Sequence, residues 1–207
     1  MSRQSRSGLR QAIIQASLEL GQELGEEGLT MRGIASRLGV SATALYQHFE
    51  SKASILREIR IYGAELLAHE VTEPCAGVEN PCERIKRMGE LYINFARARP
   101  WLYTVMMQSE QLDWSTMNDD EIERTLRPLT TLRAWIREGS EKGCWRPGLD
   151  PEVASFRLWA AFHGICSMLI SGRIDEEHPA FPVASQAEFV KSFVDGVIDG
   201  LTCAPPA

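Results

Sequence analysis

Apolar residues along this chain recur at three- and four-residue steps, and no run alternates in the two-residue manner of a strand. That periodicity predicts an all-α protein. Leu9, Ile13, Ala16, Leu20 and Leu24 form one stripe that stops in the Gly25 to Gly28 region, which predicts a first helix over residues 7–26. Thr30 can cap a short second helix with Ile34, Ala35 and Leu38 inward and Gly39 as its stop. Ser41 caps a third; Val40 before the cap and Leu45 at the fourth helical position staple its entry. Ser51 can cap a fourth, carried by Ile55, Leu56, Ile59, Leu66 and Leu67, before a link from Pro74 to Pro81.

Beyond the link, Asn80, Pro81 and Glu83 announce a helix with Ile85, Met88, Tyr92 and Phe95 inward, ended by Pro100. A short segment from Trp101 to Gln108 precedes a long helical pattern from Asp119 to Lys142, with a kink or break expected at Pro128. Asp150-Pro151-Glu152 opens a helix of about twenty residues, and Ser185 with Glu188 forms a capping box ahead of Phe189, Phe193, Val197 and Leu201. The boundary between domains falls in the fourth helix. We therefore expect two helical domains, a smaller one of three helices over residues 1–55 and a larger one over 56–207.

With 207 residues, 44% of them hydrophobic, the chain can build its core without disulfides. The N-terminus leads into an amphipathic pattern rather than an apolar run, and no stretch approaches 18 consecutive apolar residues, so a cytoplasmic location and no membrane are expected. Cys75, Cys82, Cys144, Cys166 and Cys203 are odd in number and lack a C-x-x-C pair, so they read as reduced thiols and hold no metal. Redox sensing would require a site that stabilises a thiolate. The net charge is -6, yet residues 1–62 carry eight Lys/Arg against six Asp/Glu while the remainder carries 14 against 22. A mildly basic head on an acidic body suits a small DNA-reading module joined to something else.

Such a module needs one short bracing helix, a tight turn and a second helix with a free outer face. In the third helix Leu45 and Phe49 define the buried side, so Thr43 and Gln47 point away with Ala44 beside them. Gln can pair with adenine, and Thr or Ala methyls can meet a thymine methyl. Tyr46 and His48 fall on the flanks of that face, where they serve phosphates or are partly buried surface residues. Lys52, in the first turn of the fourth helix, either meets a phosphate beside free N–H groups or is simply solvated.

The segment from Leu29 to Lys52 resembles the N-terminal domain of the tetracycline-repressor (TetR) family through Ile34-Ala35, Gly39-Val40-Ser41, Leu45-Tyr46, His48-Phe49 and Ser51-Lys52. The resemblance implies a helix-turn-helix DNA-binding domain over residues 1–55 and a helical effector-binding and dimerisation domain over 56–207, and with them a sequence-specific, DNA-binding transcription regulator, a repressor released from double-stranded operator DNA by a small effector. It implies DNA contacts from Thr30 or Met31, Arg32, Ser41, Ala42, Thr43, Ala44, Tyr46, Gln47, His48 and Lys52. The segment Trp159 to Gly164 is similar to the tryptophan/histidine/glycine signature of one C-terminal subgroup.

Apolar residues cover nearly the whole circumference of the helix that follows Pro151, so it must be buried on more than one side, and a second subunit would supply the missing cover. Ala161, Ile165, Phe193, Gly196, Val197 and Gly200 are the expected homodimer seam; the two glycines either permit close helix approach or are merely tolerated. An apolar or amphipathic effector would meet Tyr92, Phe95, Trp101, Met106, Met107, Trp114, Trp135, Phe162, His163 and Met168, although residues of these types at helical spacing also build plain core. No H-x-x-x-H pair, P-loop or dinucleotide-binding glycine turn occurs, and we expect neither enzyme activity nor a cofactor. Control by a protein partner or by cysteine oxidation remains the alternative to an effector.

Overall fold

The computed structural model describes residues 3–107, 114–175, 177–179 and 183–202, which among them form nine α-helices and no sheet. They are α1 (Arg3–Gly28), α2 (Met31–Leu38), α3 (Ala42–Tyr46), α4 (Lys52–Leu67), α5 (Pro81–Ala98), α6 (Pro100–Met107), α7 (Asp119–Glu141), α8 (Pro151–Ile170) and α9 (Gln186–Asp199). The expected capping residues all act as caps. Thr30 Oγ1 accepts from Gly33 N–H at 3.0 Å and Ser41 Oγ from Ala44 N–H at 3.1 Å. Asn80, Asp150 and Ser185 do the same for α5, α8 and α9. Each side chain thereby satisfies a donor that the first turn leaves free.

Four expectations need correction. Leu24 is 58% exposed, because Gly25 turns the chain out of helical geometry at φ 72° and the buried stripe of α1 ends at Leu20. The third helix is shorter than expected, closing at Tyr46 and leaving Gln47 and His48 in a following turn. Pro128 neither ends nor divides α7, since one missing hydrogen bond is a local loss in a helix of 23 residues. The chain also stays helical past Leu67, through a π-turn at Ala68–Thr72 and a 3₁₀ turn at Glu73–Cys75. Pro74 has no N–H for the Glu70 carbonyl, and Glu73 N–H reaches back five residues to the Ala68 carbonyl.

Contacts divide the chain into two compact units, one of Met1–Ala64 with Arg99–Thr125 and the other of Glu65–Ala98 with Leu126–Ala207. The first unit thus includes α6 and the start of α7 as well as the helix-turn-helix. Ile13, Leu29, Ile34, Leu45, Ile55, Ile59 and Tyr103 are fully buried in it. Trp101 lies so close to α1 that a Cβ on Gly21 would sit 2.1 Å from its indole, and Met106 fills the space over Gly63. These side chains are core packing.

The second unit buries Ile85, Ile93, Ile136, Leu158, Phe162 and Ile198, with α5 packed on α8 and α9. Arg84, almost fully buried, donates Nε–H to the Val78 carbonyl at 2.7 Å, pairs with Glu138 at 2.5 Å and lies over the Trp135 ring. Hydrogen bonds from Arg84 and then Lys142 hold the Glu138 carboxyl at about 2. A carboxylate whose folded value lies below its unfolded one stabilises the fold above the unfolded pKa and loses that contribution as pH falls toward the folded value. The thermal unfolding midpoint should therefore fall from about pH 4.5 down to pH 2. Glu138→Gln should lower the midpoint at neutral pH and flatten that acid limb; an acid limb identical to wild type by circular dichroism would deny the pair this role.

By length and composition α8 could cross a membrane. It nevertheless buries Leu158, Phe162, Ile165 and Cys166 in the second unit and carries Glu152, Arg157 and His163. Its other side leaves Val153 45%, Phe156 61% and Met168 40% exposed.

Candidate nucleic-acid interface

Helix α2 ends in a Schellman turn: Gly39 takes φ 65°, Gly39 N–H bonds to the Ser36 carbonyl and Val40 N–H to that of Ala35. A side chain at this φ would be strained, so glycine sets the tight turn between the two helices. One residue later Ser41 opens α3. Leu45 is fully buried and Phe49 nearly so, which leaves Thr43, Tyr46 and Gln47 exposed on the opposite side, with Ala42, Ala44 and His48 half-buried. Thr30, Arg32 and Ser41 are also exposed, and Met31 is half-buried. Because the Thr30 and Ser41 oxygens accept their capping bonds, each hydroxyl keeps its own proton to donate outward.

The fourth helix begins with reciprocal bonds between Ser51 and Ser54, each side-chain oxygen accepting from the other's backbone N–H at 3.2 Å. Lys52 follows at the first helical position. Its Nζ lies 2.5 Å from the Glu26 carbonyl, in the short turn after the Gly25 break of α1. It is therefore neither simply solvated nor devoted to an outside anion: it tethers the end of α1 to the start of α4. An ammonium has three donors, so two remain for other acceptors.

Several basic residues counted toward the positive head are engaged within the protein. Arg37 holds Glu23 at 2.5 Å, and its guanidinium keeps that carboxyl below the usual carboxylate range. Arg10 pairs with Glu58 at 2.7 Å and stacks over Phe49, Arg57 pairs with Glu121, and buried Arg60 donates to the Val105 carbonyl. Among the described residues no carboxylate pairs with Arg32, which leaves it as the exposed cation of the turn. These pairings span many residues and had no local sequence signal.

In the second unit, an apolar groove of about 620 Å³ runs along α8 and α9, lined by Ala160, Ala161, Gly164, Ile165, Met168, Phe189 and Phe193 with Ile174 and Val183. Three residues of the expected seam, Ala161, Ile165 and Phe193, line it. Gly196 is exposed with no atom within 4 Å of an added Cβ, and Gly200 is exposed with only backbone oxygens of its own last turn near one, so neither is needed for packing inside the subunit. Val197 is half-buried beside them.

The expected effector residues do not form one set. Trp101, Met106, Met107 and Trp114 belong to the first unit, whereas Tyr92, Phe95, Trp135, Phe162, His163 and Met168 belong to the second. Within the second, Tyr92 and Phe162 are buried neighbours and Phe95 is buried, while Met168 lines the groove instead. His163 stacks on Trp159, and burial pushes its pKa below the ordinary value, keeping the ring neutral near pH 7. Cys75, Cys82, Cys144 and Cys166 are free thiols; burial pushes the Cys75 and Cys82 thiols up, the reverse of what an oxidant sensor needs. Cys203 lies outside the described residues.

A capped bracing helix, a glycine turn and a short helix with a polar outer face define a helix-turn-helix DNA-reading protein. Residues 13–59 match the model for bacterial regulatory proteins of the tetR family, and residues 85–193 match the tetracyclin repressor-like C-terminal domain. The chain belongs to the TetR family of DNA-binding transcription regulators. Nucleoid occlusion factor SlmA of Marinobacter nauticus is 27% identical over 150 residues, covering 72% of this chain and 74% of that protein. Tetracycline repressor protein class C of Escherichia coli is 51% identical over 47 residues, 23% of this chain and 22% of its own. A solved protein of unknown function from Rhodococcus sp. RHA1 has the same fold, with a TM-score of 0.79 at 22% identity over 94% of this chain and 96% of that one. AibR in complex with isovaleryl coenzyme A and operator DNA aligns with a TM-score of 0.65 at 19% identity, over 93% and 97% of the two chains.

Proposed function

We propose that this protein is a homodimeric repressor that reads a pseudo-palindromic operator through α3 and its following turn and leaves it when a small apolar or amphipathic effector binds the second unit. The observation that carries the reading is the outward display of Thr43, Tyr46 and Gln47 opposite buried Leu45 and Phe49. Thr43 and Gln47 are side chains that pair with base edges, while Tyr46, His48, Arg32 and the two capping hydroxyls suit phosphates. Tyr92 and Phe162, buried neighbours, with Phe95 also buried, are the apolar side chains of the second unit that support an apolar or amphipathic effector. The protein acts in the cytoplasm, without a membrane, metal or cofactor, and it is not an enzyme.

Selection of bound sequences from random duplex DNA tests the reading: wild type should enrich two inverted half-sites. Gln47→Ala should relax one symmetric pair of positions, at a cost of about 1 to 3 kcal/mol for each base that Gln47 reads. An unchanged preference would remove Gln47 from base reading. A second reading is regulation through a protein partner, favoured by the exposed Val153 and Phe156 on α8 and by the relatives described as nucleoid occlusion factors.

A further inference from the structure

Five residues are too few for α3 to hold its own direction, since a helix this short has little stability apart from what it packs against. Two side chains anchor it. Leu45 is sealed in the core, and its carbonyl accepts the N–H groups of both His48 at 2.9 Å and Phe49 at 3.0 Å. Gln47 N–H bonds to the Thr43 carbonyl at 3.3 Å, so the backbone of Gln47 and His48 is suspended between the helix and Phe49. The Phe49 ring is thus the anchor on the far side of the reading residues.

Arg10 of α1 covers that ring, its guanidinium carbon 4.5 Å from the ring centroid. Glu58 of α4 pairs with the same guanidinium, with Nη2 to Oε1 at 2.7 Å. Arg10 therefore joins α1, the reading turn and α4 through one side chain whose charge is already paired. It also lies upstream of residues 13–59, the span that matches the family model. Resting on the operator-binding reading above, we propose that Arg10 is a positioning residue for base recognition: through Phe49 it fixes the turn that presents Gln47 and His48.

A positioning role and a phosphate contact predict different things. A phosphate contact strengthens all DNA alike and steepens the salt dependence; a positioning residue affects the difference between operator and other sequences. Arg10→Ala should lower the ratio of operator to nonspecific affinity about tenfold per dimer, with the salt slope unchanged, if each ring is deprived of its cation–π partner. Arg10→Lys, which keeps a cation for both the ring and Glu58, should recover most of that ratio. Glu58→Gln, which leaves the guanidinium in place but unfixed, should fall between them.

The measurement is fluorescence-anisotropy titration of wild type and the three variants on the selected operator and on a scrambled duplex across a salt series, with thermal unfolding recorded beside it. A lower unfolding midpoint with an unchanged ratio would make Arg10 merely structural and overturn the proposal. A slope shallower by about 1.8 per dimer would make it a phosphate contact and overturn it equally. Should Arg10→Ala fail to fold, the order of Arg10→Lys and Glu58→Gln decides the matter. Wild type that binds both duplexes equally would remove operator reading itself, a failure distinct from any result in which wild type discriminates and Arg10→Ala does so just as well.

Discussion

Phe193→Glu is expected to convert the protein from a dimer to a monomer and to weaken binding to a complete operator by about 10²- to 10⁴-fold, while affinity for an isolated half-site stays near the wild-type value. Phe193 is half-buried at the α8–α9 groove, and that groove is apolar along its whole length. Helix α8 is hydrophobic on both sides: Phe162 and Ile165 face the core, and Val153, Phe156 and Met168 face outward. A helix apolar all round calls for cover all round. A second copy would supply it symmetrically, which is also what a two-half-site operator requires.

The expected loss comes from two effects of different size. Burying a carboxylate in an apolar seam without a partner is strongly unfavourable, so the dimer separates rather than accepting it. Once separated, the second reading turn is no longer delivered at high local concentration by the first, and only single half-site affinity remains. Gly164→Arg gives an independent check, because nothing within the subunit lies within 4 Å of a Cβ there and folding should be unaffected. Sedimentation showing both variants as stable dimers would place the seam elsewhere on the protein.

The capped helix starts were legible because caps are local. Thr30, Ser41, Asn80, Asp150 and Ser185 each serve donors two or three residues away, and a reader of the sequence sees both members of the pair. The outer face of α3 was legible for the same reason, from the four-residue step between Leu45 and Phe49. What escaped the sequence depends on residues far apart. Trp101 and Met106 have the character of pocket residues, and only the proximity of Gly21 and Gly63 shows that they fill core space. Arg10 and Arg37 counted as free positive charge until α4 and α1 brought Glu58 and Glu23 to them. The turn after α3 also shortened a helix whose periodicity continued through Phe49, because periodicity records which side chains face inward and not which hydrogen bonds close.

Lys52→Ala is expected to shallow the slope of log affinity against log salt by about 1.8 for the dimer, two lysines each releasing the counterions of one phosphate. At 0.15 M salt that corresponds to roughly 30-fold weaker binding, on operator and scrambled DNA alike, with the ratio between them nearly constant. The bond from Nζ to the Glu26 carbonyl complicates this expectation, since alanine removes a tether as well as a charge. Lys beside the N-terminus of α4 is unfavourable to the helix dipole, so losing the charge would slightly stabilise the helix, whereas losing the tether would loosen its join to α1. The two effects oppose each other in stability but not in salt dependence. Lys52→Gln separates them: an amide can still donate to Glu26 but brings no charge to a phosphate, so the slope should shallow as in alanine while the unfolding midpoint stays nearer wild type. A wild-type slope in both variants, with a lowered midpoint in alanine alone, would make Lys52 a tether that engages no phosphate. The loss of affinity would then come from the displaced end of α1, and it would appear as reduced discrimination between sequences rather than a uniform fall.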